Sequence, residues 1–113
     1  MTLITFKENE KLVEKLYEDI EDCKVYYSVY KPFDEIPLSG SVKFIAYRNK
    51  LDDNSKDYVS KIMSNPTWEQ IAHCADDMIK TTGCYDCCFL EDVYVASWEP
   101  ANGTLLAKFT MGL

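Results

Sequence analysis

The alternation at the C-terminal end of the chain narrows the fold further than any other feature. From Cys88 to Trp98, and again from Thr104 to Met111, side chains follow the two-residue period of a β-strand, and Asn102-Gly103 lies between the runs. Asn-Gly accepts positive φ at both central positions of a tight turn, so the pair predicts a closing hairpin. Closure there sets Trp98 opposite Ala107, Ala96 opposite Phe109 and Tyr94 opposite Met111 on one apolar face. A four-residue loop starting at Pro100 shifts the pairing by two and leaves those faces unchanged.

Two more strands are expected upstream. Lys24 to Tyr30 alternates Val25, Tyr27, Val29 against Tyr26, Ser28, Tyr30, and Val42 to Tyr47 alternates Val42, Phe44, Ala46 against Lys43, Ile45, Tyr47. The stretch between them, Lys31 to Ser41, carries Pro32, Pro37 and Gly40 and is too long for a tight hairpin; it reads as a connector or a binding loop. Helical spacing appears three times. Leu12, Val13, Leu16, Tyr17 and Ile20 form one stripe over Glu8–Asp22, and Tyr58, Val59, Ile62 and Met63 form a second over Asn54–Ser64. The third helix has the clearest start, a Thr67…Gln70 capping box, and a Gly83 C-terminal cap.

The expected order is α-β-β-α-α-β-β, with Leu3 to Phe6 available as an extra edge strand. Strands and helices that do not strictly alternate predict an α+β domain, an antiparallel four-stranded sheet with about three helices packed on it. At 113 residues the chain fits one domain, 1–113, and folding should bury ~60–70% of its unfolded surface without a metal or disulfide staple.

Charge and composition then exclude whole classes of function. The net charge of −7 works against binding a phosphate backbone, because that affinity comes from Lys and Arg displacing counterions, so no direct nucleic-acid ligand is expected. The same charge favours a protein partner with a basic surface. No apolar run approaches the ~20 residues of a bilayer span, so no membrane is expected. Five cysteines without a secretory h-region read as free thiols in a reducing cytoplasm, which makes Asn102-Gly-Thr104 a turn rather than a glycosylation acceptor.

Two regions are candidates for function. If helices cover one side of the sheet, the other side presents Tyr26, Tyr30, Ile45, Tyr47, Val93, Val95 and Leu106 with few polar residues between them. That is too apolar for a solvated face, and tyrosine suits interfaces because its ring buries area while its hydroxyl finds a polar partner. Beside it runs the acidic edge of the first helix, Glu14, Glu18, Glu21 and Asp22, where the negative end of the helix dipole would prefer cations. The first reading is therefore a non-enzymatic, small, acidic protein-binding domain of the inhibitor, adaptor or chaperone type, a homodimer or a partner of a basic surface.

The alternative lies in the cysteines. Four of them and the one histidine cluster as His73-Cys74 and Cys84-Tyr-Asp-Cys87-Cys88. Cys84 and Cys87 have the spacing that lets two thiolates grip one tetrahedral zinc, with Cys74 and Cys88 as the remaining ligands; a thiol-reactive pair is the other use. A returning strand can bring Cys88 back towards Cys74, but His73 lies nearly opposite the apolar stripe of its helix and does not converge with it. Otherwise no cofactor is expected. Asp52–Asp57 has the wrong residues for a calcium loop, with Asp57 where the glycine belongs and Met63 where the glutamate belongs. Glu91 and Asp92 are consecutive in a strand and point to opposite faces, so they are no acid–base pair.

Overall fold

A computed structural model describes residues 3–51 and 53–113; Met1, Thr2 and Asp52 of the rejected calcium loop lie outside the described residues. In chain order it contains helix α1 (Phe6–Asp19) and strands β1 (Tyr26–Tyr27), β2 (Ser41–Ala46), β3 (Tyr58–Val59) and β4 (Met63–Ser64). Helix α2 (Trp68–Thr82) and strands β5 (Phe89–Trp98) and β6 (Leu105–Gly112) complete it. The α+β class stands. The sheet, however, is mixed and six-stranded rather than antiparallel and four-stranded, and among the described residues there are two helices rather than three.

Both helices start where a capping box allows them to. Glu8 N–H donates to the Thr5 hydroxyl oxygen at 3.2 Å and Thr5 N–H donates to the Glu8 carboxylate at 3.2 Å, satisfying two end donors reciprocally. Residues 3–5 therefore lead into α1 and form no edge strand; Ile4 N–H donates to the Tyr30 carbonyl instead. α2 repeats the device with Thr67 and Gln70 and ends on Gly83, whose φ of 73° is the left-handed cap glycine supplies most readily. The connector after β1 completes α2's start, because the carbonyls of Glu35 and Phe33 accept the N–H groups of Trp68 and Glu69. The acidic end of α1 also finds its cation: the Lys80 ammonium donates to the Glu21 carbonyl at 2.9 Å.

The sheet runs β1-β5-β6-β2-β3, with β4 also paired to β2. β1 lies parallel to β5 and β6 parallel to β2, while β5/β6, β2/β3 and β2/β4 are antiparallel. One face of this sheet, with Tyr27, Val42, Phe44, Leu90, Val93 and Ala107, packs on Val13 and Leu16 of α1 and on Trp68, Ile71, Ala72, Ala75, Met78 and Ile79 of α2. The outer edge of β1 is closed by a side chain. Fully buried Asn9 donates from Nδ2 to the Tyr27 carbonyl at 2.7 Å and accepts the Tyr30 N–H at 3.2 Å, replacing the strand that would otherwise be needed there.

Two expectations about strands are corrected. Asn54–Ser64 is not helical: Tyr58 and Met63 turn inward from β3 and β4, while Val59 and Ile62 point out. Two apolar pairs separated by two residues fit a helix stripe and two edge strands equally. The free edge of β2 decides for strands, and Ser60 locks it by accepting the Phe44 N–H on its hydroxyl at 2.8 Å. In the hairpin, Trp98 pairs with Leu105, as the Pro100–Gly103 loop requires. Register shifts between Val95 and Ser97 and between Leu90 and Asp92 turn Val93 inward and Tyr94 outward, reversing the expected faces of β5 between Asp92 and Val95 only. Among the described residues no helix is long and apolar enough to cross a membrane.

Candidate functional site

With both helices on one side, the opposite face of the sheet carries no helix among the described residues. Period-two geometry aims Lys43 and Ile45 of β2, Leu106 and Lys108 of β6, Tyr94 of β5 and Val59 of β3 onto it. Ile45 sits directly across from Val59, and Tyr94 across from Lys108. Just past β2, Tyr47 lies under the Lys108 ammonium, which is 4.6 Å from its ring centroid. Tyr47 is 73% exposed, Val59 60% and Tyr94 49%, an apolar and aromatic patch screened by little more than Lys108 and the Lys43–Glu99 ion pair of 3.1 Å.

The structure separates the residues that the sequence grouped. Ile45 and Tyr47 belong to this patch. Tyr26 is at the other edge of the sheet, half-buried, stacked on Phe89 with centroids 4.8 Å apart and hydrogen-bonded to the Glu10 carboxylate. That hydrogen bond, helped by burial, pushes its phenol up to about 12. Tyr30 lies beyond β1 with φ at 60°, its N–H on Asn9 and its carbonyl on Ile4, and serves the junction between α1 and the sheet. Glu14, Glu18, Glu21 and Asp22 are all exposed along α1 and the turn after it. Because α1 packs on β1 while Val59 is on β3 at the opposite end of the strand order, acidic edge and aromatic patch are two surfaces, not one.

The cysteines divide in the same way. Cys84 and Cys87 come together in the loop after α2, and burial, with the Cys84 thiol beside it, raises the Cys87 thiol above its usual range. They line a cleft of about 330 Å³ with Met78, Met111, Tyr47 and Lys108. Cys88 does not line it and packs against the core beside Tyr17. Cys74 is buried on α2, its sulfur 3.7 Å from that of Met63, and burial raises its thiol too. It borders a different cleft of about 390 Å³, shared with Lys61, Glu69 and His73. The four-cysteine zinc set is therefore not assembled.

Among the described residues, one group of three His, Cys, Asp or Glu side chains brings its ligand atoms within 4.8 Å of one another: Asp19 at the end of α1 with Glu69 and His73 of α2. Lys15 already occupies Glu69 at 2.6 Å. The i, i+4 relation of Glu69 and His73 was readable in the sequence; the approach of Asp19 from another helix was not. Comparison with protein-family models, with curated proteins and with solved structures found no match for this chain.

Proposed function

We propose that the chain is a small, acidic, non-enzymatic protein-binding domain whose docking surface is the helix-free face of its sheet around Ile45, Tyr47, Val59 and Tyr94, and that two copies join through it as an isologous homodimer. The observation that carries this reading is the exposure of Tyr47, Val59 and Tyr94 side by side on one sheet face. Removing such a patch from water is favourable at about 25 cal/mol per Å² of apolar area, and aromatic side chains lose little entropy in doing so. A symmetric pair also hides the same patch on both copies, which makes it self-complementary by construction. Burial raises the thiols of Cys23, Cys74 and Cys87, which disfavours the nucleophilic thiolate at those three positions.

Sedimentation velocity on the reduced protein and on a Tyr47→Ser/Val59→Thr variant tests the reading. The wild type should run as a dimer and the variant as a folded monomer, with Glu14→Gln/Glu18→Gln, on the far edge, still dimeric. A wild-type chain that stays monomeric at every concentration would remove the homodimer, and a dimer indifferent to Tyr47 and Val59 would remove the surface.

A further inference from the structure

The cleft beside the C-terminal end of α2 is walled by sulfur. Met78 comes from α2, Cys84 and Cys87 from the loop that follows it, and Met111 from β6, all facing one volume of about 330 Å³. Both thiols line this one cleft from the same short loop, three residues apart. Ile45, Ala46 and Phe109 supply an apolar lining, and Lys108 places one cation at the rim.

Donor chemistry decides which ion such a wall would take. Structural zinc requires four nitrogen, oxygen or thiolate donors in a tetrahedron. Among the described residues no third His, Cys, Asp or Glu donor converges on Cys84 and Cys87, and the remaining sulfurs are thioethers, which are soft and uncharged. Soft thiolate and thioether sets select Cu(I), a monovalent ion that closes its shell with as few as two sulfurs. We propose that Cys84 and Cys87 bind one Cu(I) as a dithiolate, with Met78 and Met111 as thioether support.

The balance of the step is simple. Each thiol releases its proton to solvent as its sulfur–copper bond forms, and copper stays monovalent throughout. Two thiolates and one Cu(I) leave a single negative charge, which Lys108 neutralises from the lining of the same cleft.

The test is an anaerobic titration of the reduced protein with Cu(I) against a chromophoric Cu(I) chelator of known affinity, followed by sulfur-edge and copper-edge absorption of the loaded protein. One Cu(I) per chain and a first shell made only of sulfur are expected. Cys84→Ser/Cys87→Ser should lower affinity by more than about 100-fold, beyond what loss of an outer-shell neighbour causes, and Met111→Leu, which conserves volume, by about 10-fold. Cys74→Ser and Cys88→Ser should bind as the wild type does. Wild-type affinity in the double-serine variant, a first shell containing nitrogen or oxygen, or equimolar Zn(II) displacing the copper would each overturn the assignment. Should the double-serine chain fail to fold, the wild-type shell and the Met111→Leu affinity decide between these outcomes.

Discussion

At the scale of single residues, the buried phenols and one buried carboxylate make the fold sensitive to alkali. Tyr27 is fully buried and donates to the Lys31 carbonyl at 2.6 Å, and burial pushes its phenol well above the usual tyrosine range. Burial does the same to Tyr58, and Tyr26 is raised by Glu10. Lys80 is raised too, by its 2.7 Å bond to Asp76, a carboxylate 1% exposed that also accepts the N–H groups of Lys24 and Val25. All four groups have folded values above their unfolded ones, ~10 for tyrosine and ~10.4 for lysine, so the folded chain holds protons that the unfolded chain releases. Their stabilisation is complete below about pH 10 and is lost as pH rises through the folded values. Thermal melts should therefore be flat from neutral to about pH 8 and decline gently from about pH 8.5, as the unfolded chain ionises the raised thiols of Cys23, Cys74 and Cys87. They should fall steeply beyond about pH 10, with the tyrosinate absorbance of the buried phenols appearing together with loss of the folded circular-dichroism signal. Tyr58→Phe should move that alkaline midpoint upward; a midpoint that stays in place would show that Tyr58 does not contribute to it.

Among the elements, legibility followed the range of the information. The start of α2 needed only Thr67 and Gln70, and its end only Gly83, so four-residue chemistry placed it to within a residue or two. Ile45 and Tyr47 were readable as outward-facing because β2 alternates cleanly. β5 was not: Val93, Tyr94, Val95, Ala96 and Trp98 are apolar on both parities, so period alone cannot assign a face, and the register shifts around Glu91 and Ala96 decide it. The parallel placement of β1 on β5 was equally hidden, because Tyr26 N–H on the Cys88 carbonyl and Ser28 N–H on the Leu90 carbonyl join residues distant in sequence, while Asn9 closes the far edge of β1 from α1. The cleft at Cys84 and Cys87 shared this fate, since its C-x-x-C half is local while Met78 and Met111 arrive from separate elements. The shifted register carries a direct consequence. In the monomeric Tyr47→Ser/Val59→Thr background, where no dimer contact enters, Val93→Ala should destabilise the fold by about 2 kcal/mol in urea denaturation, whereas Tyr94→Ala should stay within about 0.5 kcal/mol. Unshifted pairing demands the reverse order, so the two variants read the register without a new structure.

Taken whole, the molecule is electrically lopsided in a way the net charge conceals. Residues 8–22, which form α1 and its exit turn, carry seven carboxylates against two lysines, whereas residues 41–64, which form β2 to β4, carry five cations against three carboxylates. The strand order sets these segments at opposite ends of the sheet, so the proposed docking patch lies at the end where cations prevail. Two modes of self-association then differ in the sign of their salt dependence. Patch against patch brings like local charge together and must be driven by apolar burial, so screening helps it. The acidic edge of one copy on the patch of the next is an attraction that screening weakens, and because it is head-to-tail it need not close at two copies. The Debye length falls from ~30 Å at 0.01 M to ~10 Å at 0.1 M salt, which spans the separation of the two ends. The isologous dimer should therefore tighten as salt rises across that range in sedimentation equilibrium, with no species beyond dimer. Weakening with salt, accompanied by larger oligomers at high concentration, would replace the symmetric pair with a chain in which α1 supplies half of every contact.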